Sequence, residues 1–324
     1  MPNGDSEGLA AAESPPGTVY LNGSWVEPTD AVLPIDDFAI TSGVTITEII
    51  RTFRHKPFRL DAHLDRFEQS AKLAHVPLRV ERDQLAELIA EAISRRGASL
   101  TVEHDLTVSV FASPGRNRHY DPGTITTGSA KQEPTLCVYA FPIRASRDAV
   151  LFELGQHLIV PSIEAVPPGT LSPKIKTRNR LHWYLAEHEA ARSEPGARSL
   201  LVRGDGVVTE TAAGCLFAVI DGALCEPPRD SRLDGISAGV VRELAVELGL
   251  TCREVPLQIN DLLSADEIFT ASTVYCLLPV TRLNGSKIGD ETAGPIYHTL
   301  LGAWNKEVGV DIANQFRVIA ELGS

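Results

Sequence analysis

The chain has no run of about 18 or more apolar residues, so nothing in it reads as a membrane span. It has no excess of positive charge. Lys and Arg number 30 against 42 Asp and Glu, a formal net charge of -12. General binding to nucleic acid or to an anionic membrane is therefore excluded, because phosphate contacts need a basic face. The five cysteines, at 137, 215, 225, 252 and 276, form no CxxC and no paired spacing. The nine histidines form no HExxH and no ligand cluster, so no metal site is expected. The first residues, MPNGDSEGLAAAESPPG, lack both the basic and the apolar part of a signal peptide and read as a disordered tail, 1–17. Scattered thiols without an export signal point to a cytoplasmic protein. No internal repeat is visible.

What is present is an ordinary globular composition. Of 324 residues, 43% are hydrophobic and 22% charged, enough for one large or two medium domains with real cores. Val19–Val26 carries an Asn-Gly turn signal between short apolar runs and reads as a hairpin. Ile46–Phe53 alternates as a strand, with Phe58–Leu60 as its expected hairpin partner. Asp61 is a candidate N-cap for a helix on which Leu64, Phe67, Ala71 and Ala74 recur at helical spacing. A second helix is expected over Arg82–Arg96, then strands at Leu106–Ala112 and Thr135–Phe141. The segment Ser113–Pro134 between them reads as a long loop.

This first part makes a small α+β domain, 18–144, and the remainder a larger strand-rich domain, 145–324. In the second, strands are expected at Val150–Val160, Ser199–Val202, Gly206–Thr211, Cys215–Ile220, Thr251–Val255, Glu267–Ala271 and Val274–Pro279. Helices are expected over Arg178–Arg192, Ser237–Leu248 and Gly294–Asn305.

Several places could carry chemistry. In Pro173–Leu181, PKIKTRNRL, positive charge gathers at the start of an expected helix, the wrong end for the macrodipole, among apolar and aromatic neighbours. A lysine whose charge is costly there suits Schiff-base chemistry. Lys176 and Asn179 would face one side of that helix. Glu210 ends a strand before Ala212, Ala213 and Gly214, so its carboxylate can lie close under a flat ligand. Gly235 runs into a helix for which Ser237 is an N-cap candidate, a place where backbone amides can hold a phosphate. Ser272 and Thr273 offer two more hydroxyls after a strand. Arg66 leans toward the buried face beside Phe67 and needs an anion. Asp61 or Asp65 would be a plain partner, a phosphate a functional one.

Taken together, from Val19 to Leu301, the chain resembles the class IV pyridoxal-phosphate aminotransferases of fold type IV. That group includes branched-chain and D-amino acid aminotransferases, (R)-selective amine transaminases and aminodeoxychorismate lyase. The matching motifs come in the family's order: Asn22-Gly23, then Gly43…Glu48, then His63…Arg66. Lys176…Asn179 follows, then Gly206-Val207-Val208-Thr209-Glu210 and Leu233-Asp234-Gly235-Ile236-Ser237. Ala265-Asp266-Glu267-Ile268-Phe269…Ser272-Thr273 comes next, and Pro279-Val280 last.

The resemblance implies a two-domain fold, a small α/β sandwich and a larger strand-rich domain, with pyridoxal 5'-phosphate between them. It implies that Lys176 carries the cofactor and moves the proton. Glu210 would pair with the ring nitrogen, and Leu233 would pack on the ring. Arg66, Ile236, Ser237, Ser272 and Thr273 would hold the phosphate. It implies transfer of an amino group between an amino acid (or amine) and a 2-oxo acid, by a homodimer in which loops of one subunit close the site of the other. A lyase of the aminodeoxychorismate type and a non-catalytic relative are the alternatives. Lys174 lacks the asparagine at the right offset.

The departures from the family pattern fall where substrates are chosen. Thr47 stands where an aromatic pocket wall is expected, and Arg180 where a tyrosine is usual. Gly214-Cys215 replaces Ser-Asn, and Ser237 replaces a threonine. In the loop Ser113–Tyr120, Arg118 and His119 loosely resemble a carboxylate trap for substrate.

Overall fold

The computed structural model describes residues 17–102, 104–121 and 133–322. The expected tail up to residue 16, and residues 122–132 of the expected long loop, lie outside them. Two sheets organise the chain, and both come from the strand patterns in the sequence.

The first sheet begins with the expected hairpin, β1 (Val19–Leu21) and β2 (Ser24–Val26). A short helix, α1 (Phe38–Thr41), precedes β3 (Ile46–Phe53). The partner strand of β3 is β4 (Lys56–Pro57), just before the expected Phe58–Leu60, of which Phe58 N–H still donates to the Arg51 carbonyl at 2.9 Å: Arg54 and His55 both take positive φ, and the chain reverses within two residues. The helices α2 (Leu60–Ala74) and α3 (Arg82–Gly97) follow. Arg59, not Asp61, occupies the N-cap position of α2, with no side-chain cap. Asp61 lies in its first turn, where a negative charge suits the helix dipole. The strands β5 (Leu106–Ser113) and β6 (Thr135–Pro142) complete a six-stranded sheet in the order β2-β1-β6-β5-β3-β4.

Alternation along its strands decides what each face does. Ile46 and Ile50 of β3, Leu106, Val108 and Val110 of β5, and Val138 of β6 pack with Leu64, Phe67, Leu85 and Ile89 of the two helices. The intervening residues, such as Thr47, Ile49, Ser109 and Tyr139, face away from the helices and line a cavity.

The second half opens with α4 (Leu151–Leu154) and β7 (Gln156–Ile159). The expected single strand Val150–Val160 is broken at Gly155, whose φ of +75° no side chain adopts easily. Then come α5 (Leu181–Ser193), β8 (Arg198–Val202), β9 (Val208–Thr211), β10 (Cys215–Ile220) and β11 (Ala223–Glu226). The helix α6 (Ile236–Glu247), β12 (Cys252–Glu254), α7 (Ile259–Leu263), β13 (Glu267–Ser272) and β14 (Cys276–Leu283) follow. The chain ends with β15 (Ser286–Lys287), α8 (Pro295–Val308) and α9 (Ile312–Leu322).

These strands form a nine-stranded mixed sheet. Strand β9 pairs with β8 on one side and, at Glu210–Cys215, with β10 on the other. The run β10-β13-β14-β7-β8-β9 thus closes on itself. The core between this sheet and α6, α8 and α9 is built from Phe217, Phe269, Leu244, Trp304 and Phe316. Among the described residues no helix is long and apolar enough to cross a membrane.

Candidate active site

A cavity of about 570 Å³ lies between the helix-free face of the first sheet and the closed strands of the second. Residues from both halves line it. The first half supplies Thr47 and Arg66. The second supplies Lys176, Glu210, Leu233, Ile236, Ser237, Ser272 and Thr273.

Lys176 sits before a helix, not on one: α5 begins only at Leu181. The preceding segment is held in extended form against the end of β3. Thr47 N–H donates to the Lys176 carbonyl at 2.9 Å. The Lys176 N–H donates to Ser70 Oγ at 3.1 Å, and Thr177 Oγ1 donates to the Thr45 carbonyl at 2.9 Å. Backbone pairing to β3, rather than a shared helix face with Asn179, therefore aims Lys176. Burial, followed by the Arg66 guanidinium, brings its amine down to about 8.

Arg66 finds neither Asp61 nor Asp65, which pair with Arg82 at 3.2 and 2.7 Å. Its partner is Glu48. Arg66 Nε donates to Oε1 at 2.7 Å and Nη2 to Oε2 at 2.8 Å, while Nη1 donates to the Asp234 carbonyl at 3.1 Å. Glu48 shares a strand face with Ile46 and Ile50, so the same alternation that builds the core turns it toward α2. Burial alone would raise the Glu48 carboxyl, but the charge and hydrogen bonds of Arg66, with those of His63, hold it at about 2. An ionised carboxylate only accepts, so His63 Nδ1, at 2.8 Å from Oε2, carries the proton. Burial lowers the His63 pKa despite Glu48, and the ring is neutral at pH 7.

Glu210 stands at the closing pair of the second sheet. One oxygen accepts from Leu233 N–H at 3.3 Å, and the other has no partner among the described residues. Burial pushes its carboxyl up, against the Leu233 N–H and the charges of Arg232, Lys176 and Arg180. Two glycines keep the adjoining backbone close. A Cβ at Gly214 would lie 2.6 Å from the Ala271 carbonyl oxygen, and one at Gly235 would lie 2.8 Å from Cys215 Sγ. Gly235, not Ser237, is the N-cap of α6 and gives it no side-chain cap. The amides of Ile236 and Ser237 have no backbone acceptor among the described residues.

Arg118 and His119 are not brought to this cavity. They occupy the short turn Arg118–Tyr120, exposed, with the His119 ring edge-on to Tyr120 at 5.1 Å. Arg180 donates to the Ala212 carbonyl and lies over Trp183 at 5.5 Å.

These residues fit pyridoxal phosphate. A carboxylate on the cavity wall, with one oxygen that no described residue occupies, suits a protonated ring nitrogen. An amine of lowered pKa suits attack on an aldehyde. Uncapped amides beside an arginine suit a phosphate.

The family model for amino-transferase class IV matches residues 45–283. The chain belongs to this family. It is a pyridoxal-phosphate-dependent aminotransferase of fold type IV. A putative branched-chain-amino-acid aminotransferase of Methanocaldococcus jannaschii is 29% identical over 279 residues, 86% of this chain and 92% of that one. The crystal structure of the Escherichia coli branched-chain amino acid aminotransferase is 28% identical, with a TM-score of 0.80 over 89% of this chain and 93% of that one. A T.th. branched-chain amino acid aminotransferase, solved in complex with N-(5'-phosphopyridoxyl)-L-glutamate, is 26% identical, with a TM-score of 0.78 over 90% and 94%.

Within this aminotransferase, sequence motifs located the cavity residues but missed two others. Glu48 was legible as part of a motif, not as the anion for Arg66. A charged residue in the apolar phase of a strand was the available signal. Arg178, which reaches back to β3, was legible only as one charge of the basic run Pro173–Leu181.

Proposed function

We propose that this cavity moves an amino group between an amino acid and a 2-oxo acid, with Lys176 as its catalytic residue. When bound, pyridoxal phosphate supplies an electron sink that makes the substrate Cα proton labile. Lys176 would hold the cofactor through its amine, and the same amine would take up the substrate Cα proton. Glu210 keeps the ring nitrogen protonated, and the Leu233 side chain packs on the ring.

Arg66 has five N–H donors, of which three are spent on Glu48 and the Asp234 carbonyl. The others, with the amides of Ile236 and Ser237 and the hydroxyls of Ser272 and Thr273, bind the phosphate. Thr47 forms part of the substrate wall.

The working unit is a homodimer in the cytoplasm, each chain divided near residues 144 and 145. Two sheets drawn from residues 19–142 and 156–287 support that division. Exposed apolar side chains support the dimer: Val32, Ile35 and Ile40 between β2 and β3, and Leu181, Tyr184 and Leu185 on α5. In the dimer, Arg118 and His119 would reach the substrate end of the other subunit's cavity. Five free cysteines suit a reducing compartment.

The observation that carries this reading is the meeting of Lys176, Glu210 and Arg66 in one cavity. The test is the absorbance of the cofactor-loaded protein with L- and D-amino acids, in wild type and in Lys176→Ala. Wild type is expected to change spectrum with one enantiomer, and the variant to lose turnover by about 10⁴-fold or more, as for other essential catalytic groups. Turnover equal to wild type in Lys176→Ala would refute the assignment.

A further inference from the structure

The charged side chains lining the cavity are Arg66, Lys176, Arg178 and Arg180 against Glu210 alone. In a chain of net charge -12 this is a local excess of positive charge, and each cation can be accounted for in turn. Glu48 balances Arg66. Lys176 and Glu210 face the cofactor. Arg180 donates to the carbonyl of Ala212, which also lines the cavity. Arg178 remains.

Arg178 makes no ion pair among the described residues, yet its guanidinium is fixed on three sides. Nε donates to Thr47 Oγ1 at 3.2 Å, Nη2 donates to Ser109 Oγ at 2.5 Å, and the group lies 4.9 Å from the Phe111 ring centre. Thr47, Ser109 and Phe111 all belong to the helix-free face of the first sheet. Thr47 is also the residue whose N–H holds the Lys176 carbonyl. A positioned cation therefore stands on the cavity wall beside the catalytic lysine. Its Nη1 edge has no protein acceptor among the described residues. A planar fork presented this way matches a carboxylate.

Resting on the aminotransferase reading above, we propose that Arg178 is a specificity-determining residue. It binds the distal carboxylate of a dicarboxylic amino acid or 2-oxo acid, and the cavity favours such substrates over branched apolar ones. An apolar side chain in the same place would strip water from the guanidinium and return no hydrogen bond. The hydroxyls of Thr47 and Ser109 line that part of the wall, so the surroundings are polar as well as charged.

The test compares two unreactive acids of similar size, glutarate and 4-methylvalerate, titrated calorimetrically into the cofactor-loaded protein. Amino donors of each class are then followed through the half-reaction, as both enantiomers. Glutarate is expected to bind about 10-fold tighter or more than 4-methylvalerate. Arg178→Gln should weaken glutarate by about 10- to 100-fold, the range for a hydrogen bond to a charged group. The same variant should weaken 4-methylvalerate far less, with Arg178→Lys between. In the half-reaction, kcat/KM should fall mainly for dicarboxylic donors.

An equal loss for both acids in Arg178→Gln, or tighter binding of 4-methylvalerate by wild type, would overturn the proposal while leaving the aminotransferase reading intact. Wild type that converts no donor of either class would overturn that reading. The ratio of the two binding constants would then still decide the role of Arg178.

Discussion

Behind the proposed phosphate arginine sits a carboxylate almost wholly out of water. Glu48 accepts from both Arg66 and His63. Removing one partner of such a pair leaves the other buried and uncompensated, so Glu48→Gln is expected to cost about 3 kcal/mol or more, measured by urea unfolding of the cofactor-free protein. An unchanged midpoint would show that Arg66 has another anion. The pH dependence has a definite sign. The folded pKa of Glu48, about 2, lies below its ordinary value of 4.5. Its contribution is full above about pH 4.5 and is lost as pH falls through the folded value.

Lys176 titrates the other way. Its amine, near 8, is protonated and unreactive at lower pH. Loading of the cofactor-free protein should accelerate by about tenfold per pH unit below that value and level off above it. A rate flat between about pH 6 and 9 would contradict it.

At this scale much of the site was legible. Lys176, Glu210, Ser272 and Thr273 could be named because their motifs follow the order of the family the chain resembles, and the fold brings all four to one cavity. Arg118 and His119 could not be placed. A basic loop reads the same whether it faces its own cavity, another chain's or solvent.

Elements show a second pattern. Helix α6 starts at an uncapped glycine, which leaves amides free for a ligand. Helix α8 starts under a carboxylate: Glu267 accepts from the amides of Ile296 and Tyr297, each at 2.9 Å. A Cβ at Gly294 would lie 2.0 Å from the Glu267 carboxyl carbon and would push the carboxylate off these amides. Glu267→Ala should therefore destabilise the fold by about 1–2 kcal/mol, seen as a lower denaturation midpoint. An effect below about 0.3 kcal/mol would mean that the cap is replaced by water. The expected strand over Val150–Val160 failed for a local reason, the left-handed Gly155. The expected helix Arg178–Arg192 is present but starts three residues later, at Leu181, for a distant reason: Lys176 and Thr177 just before it pair with β3. Helix α9 was absent from the sequence reading. Its buried Phe316 packs on Phe152 and beside Arg51, partners far away in the chain.

For the molecule as a whole, periodicity gave two sheets but not how the second one closes. The closure depends on β7 lying between β14 and β8, pairings across long stretches of chain. Exposed Ile35 and Tyr184 are expected to become covered on dimerisation. Sedimentation should give twice the 35.0 kDa chain mass, and a monomer mass for active protein would contradict the dimer.

The most direct test of the central claim is borohydride reduction of the cofactor-loaded protein followed by peptide mass mapping. The account predicts the pyridoxyl group on Lys176 alone, and no adduct in Lys176→Ala. An adduct on Lys174, or none in wild type, would contradict it.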